Sequence, residues 1–141
     1  MKNLSRGFFS TGAAQPQGSG GGFCLYLSDH HYYKVILGLG EGINNYAELI
    51  ALRHFLHLAL AHNCTSLQIF GDSQIIINYF NSINHCHVIS LKNILNEVYN
   101  LKIGFNMVSC QHIYREHNED ADKLSKEGSL LPRGLWIIIE Q

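Results

Sequence analysis

The feature that most constrains the fold is an amphipathic helical pattern over residues 44–62. At about 100° per residue, Leu52, Phe55 and Ala59 fall on one side of the helix and predict a face that is buried against other elements. Glu48 lies one turn before Leu52, on that same apolar side. Because an unpaired buried charge costs several kcal/mol, this position needs an explanation. Either Glu48 stays solvated beside the helix N-terminus, or it points into a metal site at the edge of a sheet.

Three short apolar patterns precede this helix and predict three strands. They are Leu4–Thr11, Phe23–Leu27 and Tyr32–Leu39. Residues 12–22 read GAAQPQGSGGG, which we interpret as a flexible turn because glycine and proline interrupt regular structure. The connections are short, so successive strands are expected to pair in antiparallel fashion. Asn44 is the expected N-cap of the helix that follows.

The second half of the chain predicts strands and helices in alternation. Its first strand, Leu67–Gly71, is fully apolar, as in a strand buried on both faces of an α/β sheet. A helix starting at Ser73, a helix over Ile89–Leu101, a strand over Phe105–Ile113 and a helix from Asn118 to a stop at Gly128 follow. The order β-β-β-α-β-α-α-β-α predicts an α/β fold whose mixed, five-stranded sheet is flanked by helices.

Length and charge limit the classes of protein that the chain can belong to. With 141 residues, of which 46% are hydrophobic, we expect a single domain over residues 1–141. Its core is predicted over residues 4–128, and residues 129–141 form a C-terminal extension. Ten basic residues are dispersed through a chain of net charge −1, which argues against a strong nucleic-acid binder.

The four cysteines indicate a reducing compartment. They are widely spaced, and no pair has the two-residue gap of a zinc knuckle or a redox motif. We therefore expect reduced thiols in a protein of the cytoplasm or nucleus. No stretch approaches the length that spans a membrane, so no membrane association is expected.

Three carboxylates follow one another at corresponding points of the predicted elements. Glu48 opens the first helix, Asp72 follows the fourth strand, and Asp122 lies one turn into the last helix. If the fourth strand lies beside the first, all three meet at one edge of the sheet. Asp72 has an alternative interpretation as a helix N-cap. Together the three carboxylates favour a metal site at this edge of the sheet, because each alternative interpretation would have to hold independently.

Four blocks of this sequence resemble ribonuclease H of type 1. The blocks are GEGINNYAELIAL, LQIFGDSQIIIN, HIYREHNEDADKLSKEG and LPRGLWIIIE, and the resemblance covers nearly the whole chain. It is closest to the ribonuclease H-like domains that plants carry in non-LTR retrotransposons and in genes derived from them. The resemblance implies a ribonuclease H-like fold.

The resemblance also implies a site chemistry. In this family four carboxylates hold two Mg²⁺ or Mn²⁺ ions that cleave the RNA strand of an RNA–DNA hybrid. The second, third and fourth carboxylates fall on Glu48, Asp72 and Asp122. His112 matches a histidine that assists product release or proton transfer. Asn45 matches a position that reads the hybrid, with a spare helix cap as the alternative.

Two basic residues lie beside the fourth carboxylate in the sequence. Arg115 and Lys123 are the expected phosphate contacts, although a surface salt bridge is an alternative for each. Any binding of nucleic acid is expected to be weak, because so few basic residues are present. A protein partner is the other expectation, through the apolar residues 136–139 if they are exposed.

The first block departs from the family pattern. Thr11 occupies the position of the first catalytic aspartate, and Pro16–Ser19 replaces the turn that normally cradles the hybrid. A neutral hydroxyl is a poor substitute for the carboxylate that bridges both metals. One hypothesis is a catalytically impaired binding or interaction domain. The other is a hybrid endoribonuclease of reduced or altered activity that uses Mg²⁺ or Mn²⁺. The oligomeric state is left open.

Overall fold

The computed structural model of the protein describes residues 4–15, 18–40 and 45–141. Its strands are β1 Ser5–Gln15, β2 Gly18–Ser28, β3 His31–Gly40, β4 Ser66–Gly71, β5 Met107–His112 and β6 Trp136–Glu140. Its helices are α1 Asn45–Ala61, α2 Gln74–Phe80, α3 Ile89–Ile103 and α4 Glu119–Gly128. A 3₁₀ turn, Arg115–His117, precedes α4. No helix among these residues is long and apolar enough to cross a membrane.

The strands form one mixed sheet in the order β5-β4-β1-β2-β3-β6. β1 is parallel to β4, and β4 is parallel to β5, whereas the other neighbours are antiparallel. The predicted mixed α/β fold is confirmed, but the prediction of five strands is wrong. The apolar tail forms a sixth strand because it pairs with β3, with Ile138 opposite Val35.

The glycine-rich stretch is not the long turn that the sequence predicted. Residues 12–15 extend β1 and residues 18–22 begin β2. A side chain on Gly22 would lie 2.5 Å from the backbone nitrogen of Ser125 and from Cβ of Leu124, both in α4. The glycine here allows α4 to approach the sheet closely. Pro16, Gln17 and the expected cap Asn44 lie outside the described residues.

The main core lies between the sheet and α1, α2 and α3. Phe55 of α1 is fully buried, with its ring centroid 4.8 Å from that of Phe23 and 6.5 Å from that of Phe9. The apolar stripe predicted for α3 faces this core: Leu91, Ile94, Leu95 and Val98 are all buried. The same core fixes the position of α1, and therefore of Glu48 in its first turn.

Two predicted helix caps differ from expectation. Asn118 occupies the N-cap position of α4, yet its side chain makes no cap hydrogen bond. Its Nδ2 instead donates to the backbone oxygen of Phe9 at 2.9 Å, which joins the start of α4 to β1. The N-cap residue of α2 is Ser73, so the interpretation of Asp72 as a cap is wrong.

β6 leaves a row of apolar side chains partly exposed at the sheet edge. Ile137, Ile138 and Ile139 are 40%, 49% and 37% exposed. Trp136 is half-buried, and its ring lies 3.8 Å from that of His54 on α1. The condition set for a partner surface at residues 136–139, that they be exposed, is met at the three isoleucines.

Candidate carboxylate site

The centre of the sheet brings Asp72 against the middle of β1. Phe9 pairs with Gly71 across the parallel β1–β4 register, so the next residue of each strand also lies side by side. These are Ser10 and Asp72, and the Ser10 hydroxyl donates to Asp72 Oδ2 at 3.0 Å. Ser10 is 1% exposed and the Asp72 side chain 5%. Asp72 is thus a buried carboxylate that is stabilised by the Ser10 hydroxyl and by the guanidinium of Arg115.

Glu48 points toward this edge from the first turn of α1. Its Oε2 accepts a hydrogen bond of 2.8 Å from the Ser73 hydroxyl. Burial raises the pKa of Glu48 above its ordinary value, while hydrogen bonds from Ser73 and Thr11 act in the opposite direction and the charge of Asp72 raises it further. Glu48 is therefore half-buried and partnered, rather than solvated beside the helix N-terminus.

Asp122 is held by cations from two sides. Lys126 Nζ lies 3.1 Å from Asp122 Oδ2, one helical turn further along α4. Arg115 Nε lies 3.8 Å from Asp122 Oδ1 and 3.4 Å from Asp72 Oδ2. A single guanidinium nitrogen thus lies between the third and fourth carboxylates and balances part of their charge.

As arranged, these residues do not fit a pair of divalent metal ions. Among the described residues, no group of three or more His, Cys, Asp or Glu side chains could hold a metal ion. Arg115 lies between Asp72 and Asp122, where its guanidinium would repel a metal ion. The residue of β1 beside Glu48 is Thr11, which is 6% exposed and offers a neutral hydroxyl.

The remaining predicted site residues lie around this centre with fewer contacts. His112 pairs in the β4–β5 register with Gly71, the residue before Asp72. Its ring packs edge-on against Tyr114, at 5.6 Å between centroids. Asn45 is the first residue of α1 and is half-buried. Lys123 is exposed on α4 and forms no ion pair within the described part of the chain.

Sequence reasoning missed the residues that partner the carboxylates. Lys126 follows Asp122 by four residues on a helix, a spacing that could have indicated the ion pair. Ser10 and Ser73 were passed over because a search for metal ligands favours carboxylates. Only the β1–β4 register, which no local pattern shows, brings Ser10 to Asp72.

The sheet order, the helices on both of its faces and the carboxylates at the end of β4 define a protein with a ribonuclease H-like fold. The chain belongs to the reverse transcriptase-like family, whose model matches residues 13–128. β6 lies beyond the matched residues. No curated protein matches the sequence.

Solved structures of ribonuclease H share the fold at low sequence identity. The ribonuclease H1 of Halobacterium salinarum NRC-1 is 22% identical, with a TM-score of 0.77 over 89% of this chain and 97% of its own. The N-terminal ribonuclease H domain of rv2228c from Mycobacterium tuberculosis is 17% identical, with a TM-score of 0.78 over 90% of this chain and 99% of its own. LC11-RNase H1 in complex with an RNA/DNA hybrid is 22% identical, with a TM-score of 0.73 over 89% of this chain and 96% of its own. LC11-RNase H1 was isolated from compost by a metagenomic approach.

Proposed function

We propose that this chain is a ribonuclease H-like domain that binds nucleic acid weakly and has lost most of its metal-dependent cleavage. The observation that carries the proposal is the position of Arg115, whose guanidinium lies between Asp72 and Asp122. Thr11, in the place of the first aspartate, supports it because its hydroxyl bonds to Glu48 and adds no negative charge. The solved relative that holds an RNA/DNA hybrid supports a hybrid as the first nucleic acid to test.

A second candidate function is hydrolysis of an RNA–DNA hybrid at a reduced rate. The observation in its favour is that Glu48, Asp72 and Asp122 all survive and that hydroxyls or cations near the end of β4 partner each of them. Arg115 is 59% exposed at its side chain, so a strand of nucleic acid could attract it away from the two aspartates. Its guanidinium would then contact a phosphate, as the sequence predicted.

One experiment separates these functions. A labelled RNA–DNA hybrid is incubated with the protein in Mg²⁺ or Mn²⁺, and binding is followed in parallel by fluorescence anisotropy at increasing salt. We expect weak binding, because few phosphates are neutralised, that is lost at high salt because the attraction is electrostatic, and no cleavage above background. Metal-dependent cleavage by the unmodified chain would support the second function, and tight binding that persists in high salt would contradict the first.

Restoring the carboxylate gives a sharper test. Thr11→Asp should lower stability without metal because it adds a negative charge beside Glu48. In Mg²⁺ it should recover that loss and raise hybrid cleavage by orders of magnitude. Thr11→Asn is the matched control, because asparagine has the shape of aspartate without its charge. It should show neither the stabilisation by Mg²⁺ nor the gain in cleavage. Asp72→Asn in the Thr11→Asp background should abolish the gain. A Thr11→Asp protein that binds Mg²⁺ but cuts nothing would show that the fault lies elsewhere in the site.

A further inference from the structure

A cleft of about 610 Å³ lies on the α4 side of the sheet, apart from the carboxylate site. It is bounded by β1, β2 and the residues that lead into α4. None of the three site carboxylates lines it, and neither does Thr11 or Arg115. The cleft is therefore a separate feature of the molecule, and the proposed nucleic-acid function leaves it without a role.

The floor of this cleft is aromatic. Phe8 and Tyr26 line it, with their ring centroids 6.1 Å apart and their planes nearly perpendicular. The row continues on both sides, since Phe70 stacks on Phe8 at 5.1 Å and Tyr32 stacks on Tyr26 at 4.9 Å. The guanidinium of Arg6 already lies 6.0 Å from the centre of the Tyr26 ring. The floor thus has the π-faces that attract cations, and one cation of the chain itself uses them.

The rim of the cleft is acidic. Among the described residues, Arg6 is the one lysine or arginine that lines it, whereas four acids do: Asp29, Glu116, Glu119 and Asp120. Arg6 pairs with Asp29 at 3.1 Å, and the other three acids form no ion pair within the described residues. Asp120 contributes, after burial, to raised pKa values of Cys24 and Tyr26 in the floor. The cleft therefore carries an excess of negative charge that a cation would balance.

The wall of the cleft contains a buried acceptor without a hydrogen-bond partner among the described residues. Asn118 lines the cleft and is 2% exposed. Its Nδ2 donates to the Phe9 oxygen, which sets the orientation of the amide. Among the described residues, Oδ1 has no hydrogen-bond partner. An unsatisfied buried acceptor is costly to the folded chain, so this wall of the cleft is not fully stabilised by the chain's own hydrogen bonds.

We propose that this cleft binds an arginine side chain from a basic segment of a protein partner. A guanidinium combines the two properties that the cleft selects for: a positive charge with N–H donors for the acidic rim, and a planar group that stacks on the aromatic floor. Lysine has the charge but not the planar donor array. A nucleic-acid strand would place its phosphates against the acidic rim and is disfavoured here. The inference goes beyond the proposed function and does not depend on it.

The test titrates the ¹⁵N-labelled full chain with a peptide probe, acetyl-Arg-Gly-Arg-Gly-Arg-amide. Binding is measured from the changes in the amide chemical shifts of the chain. The same peptide with citrulline in place of arginine is the matched probe, since it keeps the shape and removes the charge. We expect the arginine peptide to shift the amides of residues 24, 26 and 118–121. The citrulline peptide should bind at least about tenfold more weakly.

Variants of the chain make the test specific. Glu116→Gln combined with Asp120→Asn should weaken binding of the arginine peptide by about tenfold, and Tyr26→Leu should weaken it by a similar factor. Glu127→Gln neutralises an exposed acid of α4 outside the cleft and should leave the affinity unchanged. The double variant and Tyr26→Leu are used only if their spectra show a folded chain.

Several outcomes would overturn the inference. Equal binding of the citrulline peptide would remove the role of the charge. Equal weakening by Glu127→Gln would show attraction to overall charge rather than to the cleft. Oligouridine that shifts the same amides while the arginine peptide does not would assign the aromatic floor to single-stranded RNA. Binding of an RNA–DNA hybrid is measured on the same samples. Because the cleft variants should change peptide binding and not hybrid binding, the inference and the proposed function are tested separately.

Discussion

The face of the sheet under α1, α2 and α3 is packed by large apolar side chains, whereas the face under α4 is packed closely against backbone. The first face buries five phenylalanines, Phe55 among them, and many aliphatic residues. On the second, the buried apolar cluster comprises Cys24, Ile36 and Leu124, and Gly22 lies against the backbone of α4. The difference teaches that stability is concentrated on one face. The other face holds α4 near the sheet and leaves an open cleft beside it.

The largest effect is expected from Phe55→Ala on the well-packed face. Phe55 is fully buried, and truncating its side chain leaves a cavity beside the rings of Phe9 and Phe23. We expect a loss of about 3–5 kcal/mol in the free energy of unfolding, measured by urea denaturation. Ile103→Ala is the control, because Ile103 is 79% exposed and should cost about 0.5 kcal/mol or less. A loss below about 1 kcal/mol at Phe55 would contradict the comparison of the two faces.

An intermediate effect is expected from Gly22→Ala on the α4 face. The new Cβ would meet α4 at 2.5 Å from Leu124 Cβ and the Ser125 nitrogen, so the helix must move away from the sheet. We expect a loss of about 1–3 kcal/mol in urea denaturation and altered amide shifts along α4, which carries Asp122. In Gly104→Ala the nearest atom belongs to the Leu60 side chain at 3.1 Å, and this flexible neighbour should make the change milder. Equal costs for the two variants would mean that α4 is not held closely at Gly22.

The smallest effect is expected from Glu48→Gln, and its sign depends on pH. The folded pKa of Glu48 lies above its unfolded value of 4.5, mainly because of burial. The stabilising contribution of the protonated form is therefore complete below that value and is lost as the pH rises through the folded pKa. Thermal unfolding should show a higher melting temperature for the variant at pH 7.5 and no such gain at pH 4. A variant that is less stable at both pH values would show that the bonds from Ser73 and Thr11 outweigh the cost of burial.

The local patterns of the sequence predicted most of the fold because each depends on neighbours along the chain. The α3 stripe and the buried strand β4 follow from helical and strand spacing alone. Residues 12–22 were misinterpreted as a turn because glycine indicates either flexibility or close approach, and only the position of α4 decides between them. The sequence did not predict β6 as a strand, because its structure depends on pairing with β3, which lies about a hundred residues earlier in the chain.

The candidate site was predictable in its carboxylates and not in their partners. The positions of Glu48, Asp72 and Asp122 follow from the elements that carry them, and that they are the site residues remains a prediction. Arg115 was predicted as a phosphate contact or a salt bridge, and the structure shows the salt bridges. Which acids it joins depends on how the turn before α4 folds back on β4. No spacing rule along the chain contains that information.

β6 moves the open edge of the sheet from β3 to a strand with three adjacent isoleucines. Edge strands in soluble proteins usually carry lysine, proline or a bulge that discourages pairing with another chain. Within β6 the charged residue is Glu140, which His31 and Tyr33 already engage. In concentrated solution we therefore expect copies of this protein to associate through the exposed edge of β6. A small net charge offers little repulsion against such association.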